Sequence, residues 1–317
     1  MSFSYDAVIF FSGDIIKTEQ ALRSLLKQDC PPGRTLLLCA EGEEAQLSFA
    51  AGTIEIVPLP VNDPGLFLAV GTRRTEAPYV LFLSGSCGRF PAALSARMFA
   101  HFSDDPSLEV VFTAGYDGKE DGDMAKAYDE ALFSVCPVYG KEKLFSLGPQ
   151  LFLRDLGAML VKRELITDCP PEVGALTAPE RLYAAHALYR DARVCCDPEL
   201  RTAYSRHLSP TVLFRDMFCF GAALRLYYQS FGIGFRMHKK MRGTGFTDNP
   251  VLETSLGKAV GNAGRKAAGS LLKSGAFYKL PWLFLTVLSG RLGAALGNWY
   301  HRLPASVNRK LAGGRYF

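Results

Sequence analysis

The chain has 317 residues, with 36 Lys+Arg against 31 Asp+Glu, a formal net charge of +5 and 48% hydrophobic residues. That length admits one large domain or two small ones around a substantial core, and the composition excludes a disordered or low-complexity chain. The net charge conceals an asymmetry: residues 1–200 hold 18 basic and 28 acidic residues, whereas residues 201–317 hold 18 basic and 3 acidic ones, Asp216, Asp248 and Glu253.

In chain order, YDAVIFF at 5–11 reads as a short buried strand, followed by a Gly-Asp turn. Residues 19–27 place Leu22, Leu25 and Leu26 at helical spacing, and CPPGR at 30–34 ends that helix. TLLLC at 35–39, TIEIVPL at 53–59 and YVLFL at 79–83 are further core strands, with a helix expected over 64–77. Apolar strands alternating with helices predict βαβ units and a largely parallel sheet, with the site at the carboxyl ends of the strands.

LEVVFTAG at 108–115 is another strand, and the acidic DGKEDGDMAKAYDE at 117–130 reads as a solvated loop rather than a cation site. LGAMLVKREL at 156–165 reads as a strand running into a short helix. A helix is expected over 179–189, where Pro179 stands at a tolerated first-turn position and Glu180 favours the dipole. From 208 to 231 the pattern is that of a long aromatic helix, and 232–245 is basic and glycine-interrupted. Helices are expected over 256–273 and 281–300, although their glycines make them depend on packing or a membrane surface.

Several classes are set aside. Eight cysteines without a CxxC suggest neither a disulfide scaffold nor a structural zinc site. The start lacks the basic and long apolar regions of a secretory signal. The longest strongly apolar stretch, 280–288, is shorter than the roughly 20 residues that span a bilayer. There is no GxGxxG and no GxxxxGK[ST]. SGSCG at 84–88 lacks the lysine of a phosphate loop and reads as a polar strand-end turn. A cytoplasmic enzyme or a peripheral protein on the inner face of the cell membrane is expected.

Taken together, the segments resemble the family 2 glycosyltransferases of the GT-A fold, particularly bacterial rhamnosyl- and related cell-surface polysaccharide transferases. Ser24-Leu-Leu-Lys-Gln-Asp-Cys-Pro31 is similar to the family's SLLxQxxP segment. Asn62-Asp-Pro-Gly65 with Ala77-Pro-Tyr-Val-Leu-Phe-Leu-Ser-Gly-Ser86 resembles its NxxG…YxxFLDxD run. The stretch 178–194 resembles the helix that carries the family's Glu-Asp pair. His207, Ser209, Phe214-Arg215 and Gly221 resemble its HxxS…FRxxxxxG segment. LGNWYHRLPASVNRKLAGGRYF resembles its closing motif. The resemblance spans nearly the whole chain. It implies an α/β GT-A fold, a mixed, mainly parallel sheet flanked by helices, over 1–207, and a basic, aromatic helical extension over 208–317.

The departures bear on chemistry. The family's metal-binding DxD falls on Ser84-Gly85-Ser86, and a hydroxyl does not replace a charged, hard oxygen ligand. No divalent metal is therefore expected. The base-recognising Asp falls on Ala40, with Glu41 as a substitute. The Glu-Asp pair falls on Pro179-Glu180, which makes Glu180 the general base on the acceptor hydroxyl. The donor side would comprise Phe11, Ser12, Glu41, Ser84, Ser86 and His207, with Arg73, Arg74 or Arg89 supplying charge to the diphosphate. His186 is an acceptor-side or internally packed residue.

Three readings stay open: an active, metal-independent inverting transferase, a catalytically silent GT-A subunit of polysaccharide assembly, and an unrelated α/β enzyme. The first takes a nucleotide-sugar donor and a glycan or lipid-linked acceptor. Trp282, Phe284, Trp299 and Tyr300, interleaved with Lys279, Arg291, Arg302 and Arg309, suit a membrane surface via residues 256–317. Packing within a homo-oligomer or against a partner transferase is the alternative. Nucleic acid is not expected, because no binding module is present and the first half is acidic. His101 reads as a surface helix residue.

Overall fold

The computed structural model describes residues 4–11, 13–50, 54–60, 64–113, 138–139, 157–168, 183, 187, 190–197, 200, 208–230 and 256–312. Among the expectations above, Ser12, Glu180, His186, His207 and the stretches 117–130 and 232–245 lie outside the described residues.

The described strands are β1 (Tyr5–Phe10), β2 (Arg34–Ala40), β3 (Glu55–Leu59), β4 (Tyr79–Ser84), β5 (Leu108–Thr113), β6 (Val138–Tyr139), β7 (Ala158–Lys162) and β8 (Arg193–Asp197). They form one sheet in the order β3-β2-β1-β4-β7-β5-β8-β6. Pairing is parallel between β1 and β2, β1 and β4, β2 and β3, and β5 and β8, whereas β7 runs antiparallel to both β4 and β5. Because β7 reverses between them, β4 and β5 point the same way, so the carboxyl ends of β1 to β5 and β8 share one edge.

Both faces of the sheet are buried, which explains why the strands read as continuous apolar runs rather than alternating ones. Val8, Phe10, Leu36, Leu38 and Phe82 belong to the core on one face, and Ala7, Ile9, Leu37, Cys39 and Leu83 to the core on the other. Helix α1 (Ile15–Leu26) buries Ala21, Leu22 and Leu25, and α3 (Leu94–Asp104) buries Met98, Phe99 and Phe102, both on the second face. On the first face lie Phe67 and Leu68 of α2 (Pro64–Arg74) and Leu165 and Ile166 of α4 (Arg163–Asp168). Tyr183 and Ala187, one helical turn apart, are buried in that same core.

The chain continues through α5 (Pro210–Ser230), α6 (Leu256–Lys273), α7 (Leu280–Asn298) and α8 (Ala305–Leu311). Leu213, Met217 and Phe220 of α5 and Val260, Ala263 and Leu271 of α6 join the core on the first face, so this extension packs onto the sheet. Helix α7 lies against α5 through small residues. A Cβ on Gly293 would overlap the Phe214 carbonyl oxygen, one on Gly297 the Phe218 carbonyl oxygen, and one on Gly290 would stand 2.8 Å from Leu213.

Two local expectations change. Helix α1 starts at Ile15 rather than near residue 19, because the Asp14 carboxylate caps it by accepting the Lys17 backbone N–H at 3.0 Å. The apolar stretch at 280–288 does not stop there. Small residues continue it, and 277–298 is a 22-residue helix that meets the length and composition of a membrane span.

Candidate active site at the strand switch point

The chain leaves β1 toward β2 and β3 on one side, then crosses to β4 on the other side of β1. Such a reversal opens a crevice outside the carboxyl ends of the two strands, where open α/β sheets bind ligands. Here the two ends are Phe10 and Ser84, which pair directly. Beyond Ser84 the chain makes a tight 3-10 turn, Gly85–Cys87, and Gly88 follows with φ +45°. The strand-end turn expected at 84–88 is therefore present, at the switch point itself.

Gly85 is the tightest point of this junction. A Cβ there would overlap the Phe10 carbonyl oxygen and stand 2.8 Å from the Thr18 hydroxyl. Thr18 is buried, and its hydroxyl donates to the Asp14 carbonyl oxygen at 2.8 Å. The turn after β4 is thus pressed onto the end of β1 and the first turn of α1. Phe11, the next residue along, is buried, and its N–H reaches the Leu38 carbonyl oxygen at 2.8 Å.

Gln28 explains the expected SLLxQxxP segment. Its buried side-chain amide donates to the Pro91 carbonyl oxygen at 2.8 Å and accepts the Ser95 N–H at 3.0 Å. The Asp29 N–H adds a bond to the Ala92 carbonyl oxygen at 3.0 Å. The end of α1 therefore clamps the α3 end of the loop that leads from the switch-point turn into that helix. Tyr5 and Ser95 converge on the Cys30 carbonyl oxygen at 2.7 and 2.9 Å. Burial pushes the Tyr5 phenol up to about 12, with the Ser95 hydrogen bond opposing.

At the end of β2, Glu41 is exposed, while its backbone N–H binds the Leu59 carbonyl oxygen at 2.8 Å. The carboxylate that turns back to the strand end is Glu43, which accepts the Ala40 N–H at 3.0 Å. Burial, together with the nearby Glu44 and Glu43 carboxylates, pushes the Cys39 thiol up to about 11. No sequence motif points to Glu43. A Gly at 42 with φ +89° between two glutamates is the turn signal that could have found it.

The arginines separate. Arg74 pairs with Glu55 at 2.9 Å, Arg34 pairs with the same carboxylate at 2.6 Å, and Arg34 donates to the Arg74 carbonyl oxygen at 3.0 Å. Glu55 and Arg34 stand at the starts of β3 and β2, so Arg73 and Arg74 lie at the amino-terminal edge of the sheet, opposite the switch point. That position keeps them from a diphosphate bound at the switch point. Arg89 is exposed on the carboxyl side, just past the turn. Lys17, in the first turn of α1, also stands near this junction, with Nζ 3.9 Å from the Asp14 carboxylate.

His101 is not a simple surface residue. Its Nε2 lies 3.0 Å from the Asp197 carboxylate, which is buried at the end of β8, and Arg97 reaches the same oxygen at 3.4 Å. This pairing fastens α3 to β8. The six cysteines among the described residues form no disulfide.

A divalent cation needs charged, hard oxygen ligands. At the start of α1 the Asp14 carboxylate is already used as that helix's cap. Among the described residues no group of three or more His, Cys, Asp or Glu converges.

No protein-family model and no curated protein matches this sequence. Solved structures do match it in fold. The mannosyltransferase PcManGT from Pyrobaculum calidifontis, solved with GDP-Man and Mn2+, is 13% identical, with 94% of this chain and 88% of that one covered and a TM-score of 0.59. Glucosyl-3-phosphoglycerate synthase from Mycobacterium tuberculosis, solved with phosphoglyceric acid, is 14% identical over 73% and 81% of the two chains, with a TM-score of 0.50. TarS residues 1–349 from S. aureus cover 95% and 91% at 14% identity, with a TM-score of 0.49. The mixed, mostly parallel sheet flanked by helices, with its helical extension, is a GT-A fold.

Proposed function

We propose that this protein is an inverting glycosyltransferase that moves a sugar from a nucleotide-diphosphate donor to a glycan or lipid-linked acceptor in cell-surface polysaccharide synthesis. The observation that carries the proposal is the strand reversal between β1 and β4 in a GT-A fold, with a tight turn pressed onto the paired ends Phe10 and Ser84.

In this reading the nucleotide lies over the ends of β1 and β2, near Phe11, Ser12, Glu41 and Glu43. The diphosphate lies over Ser84-Gly85-Ser86. Helix α1 does not cradle it alone, because the Asp14 carboxylate already occupies that helix end. Charge compensation falls to Arg89, whose planar guanidinium suits a phosphate, with Lys17 and His207 as further donors. Glu180 removes the proton of the acceptor hydroxyl as its oxygen attacks the anomeric carbon. The bond to the nucleoside diphosphate breaks, and the diphosphate leaves with the electron pair. With the family's metal carboxylates replaced by Ser84 and Ser86, the transfer proceeds without a divalent metal.

The same replacement favours one rival, a catalytically silent GT-A subunit that binds sugar nucleotides or glycans within an assembly. Incubation with a panel of nucleotide sugars, with and without manganese, separates the two. The active reading expects release of nucleoside diphosphate from one donor in chelator, and loss of that release in Glu180→Gln. No turnover of any donor, with metal or without, favours the silent subunit.

The basic, carboxylate-free end of the chain supports a place on the inner face of the cell membrane, where anionic lipids attract such segments. A lipid-linked acceptor would be met there.

A further inference from the structure

Helix α7 has two apolar faces where a surface helix of a soluble protein has one. Its inner face is closed: Leu283, Thr286, Gly290, Gly293, Ala294 and Gly297 are buried, with the glycines against the α5 backbone and Leu213. Its outer face carries Trp282, Phe284, Leu285, Leu288, Leu292 and Trp299, all exposed, Phe284 to 70% and Leu292 to 54%. At 100° per residue these six cover about half of the helix circumference. Phe277 and Tyr278 extend the patch beyond its start and are also exposed. An apolar surface that continuous is an interaction site.

The charge around the patch identifies the occupant. Residues 254–317 contain ten Lys and Arg and no Asp or Glu. Lys273, Arg291 and Arg302 are exposed near the start, middle and end of the outer face. Lys279 stands over the Tyr278 ring at 5.5 Å, and Arg302 over the Trp299 ring at 5.7 Å. Aromatic rings paired with cations at both ends of an apolar stripe suit the headgroup level of an anionic bilayer, where rings anchor and long cationic side chains reach the phosphates.

The helix does not cross that bilayer, although its length would allow it. Crossing would draw its glycine face away from α5. Alternatively it would take α5, whose Leu213, Met217 and Phe220 belong to the core of the sheet, into lipid. We infer that α7 lies in the plane of an anionic membrane surface, its inner face holding the GT-A domain and the outer face from Trp282 to Trp299 sunk between the headgroups. This rests on the peripheral placement proposed above and narrows it to one face and one orientation. It is independent of whether sugar transfer occurs.

Truncation is a poor test, because α6 supplies Val260, Ala263 and Leu271 to the core. Surface replacement in the full chain is better. The full-length protein would be sedimented with phosphatidylcholine vesicles, and with vesicles in which about one lipid in three is phosphatidylglycerol. Expected are binding to the second only, weakening with salt, and a loss on the order of ten-fold in Phe284→Ser/Leu288→Ser at unchanged melting temperature. Trp282 and Trp299 should shift their emission to the blue with anionic vesicles. Absent binding of the wild type overturns the face and the peripheral placement together. Binding that ignores the double replacement overturns the face alone. A dimer in solution that the double replacement converts to monomer, without vesicle binding, assigns the face to a second copy and overturns the inference.

Discussion

The carbonyl oxygen of Phe10 fills the space that a side chain on Gly85 would need. The end of β1 and the turn after β4 are thereby locked into one unit with the Thr18 hydroxyl, and the candidate donor site is built on that unit. Gly85→Ala forces these backbones apart. It should destabilise the protein by about 1–3 kcal/mol, the usual cost of overpacking, read as a lower urea midpoint at unchanged slope. An unchanged midpoint would show that the junction relaxes freely.

Gln28 is buried and bonded to Pro91, at the end of the loop into α3, and to Ser95 in the first turn of that helix. Gln28→Ala leaves the Ser95 N–H and the Pro91 carbonyl without these partners, at a cost of about 1–3 kcal/mol. The loop carrying Arg89 should loosen with it, seen as faster amide exchange at residues 88–95. Stability loss without faster exchange would mean that the clamp serves packing alone.

Tyr5 sets an alkaline limit. Its phenol is raised from 10.0 to about 12 in the folded state, chiefly by burial. The raised group holds its proton more tightly when folded, so its contribution is complete below the unfolded value near pH 10. It is lost as the pH rises toward 12, at most about 2–3 kcal/mol over the interval. Tyr5→Phe should be less stable at pH 8, having lost the bond to Cys30, yet show a shallower decline between pH 10 and 12. Parallel curves for the two proteins would exclude this role.

Glu180→Gln should abolish transfer, by about a hundred-fold or more, while nucleotide affinity changes little, because a general base acts on the acceptor and not on the donor. Equal loss of binding and transfer would assign Glu180 to the donor site instead.

Elements whose cues are local were legible. VIFF, LLLC and VLFL are runs apolar on both sides, as strands covered on both faces must be, and 256–273 matches α6 residue for residue. What failed depended on where an element ends in space. Arg73 and Arg74 sit near the switch-point motifs in sequence, but a helix that leaves the carboxyl end of β3 and returns to β4 must finish at the amino edge. That topological rule, applied to 64–77, would have removed them. His101 reads as a surface position from its own helix alone, whereas its partner Asp197 is 96 positions away. The strongly apolar stretch ends in sequence at Leu288, and Gly290, Gly293 and Gly297 follow it. Packed against α5, those glycines let the two helices approach closely. The Gly85 contact was invisible for the same reason, since a glycine's lack of a side chain matters only once its neighbour is known.

The measurement that bears most directly on the account is calorimetric titration of the full-length protein with UDP, GDP and dTDP in the presence of chelator, repeated with Arg89→Ala. The account predicts that one nucleoside diphosphate binds without metal, that manganese adds little, and that Arg89→Ala weakens binding by about ten-fold, the loss of one charge-assisted contact. Failure of all three to bind, or binding that appears only with manganese, would contradict it.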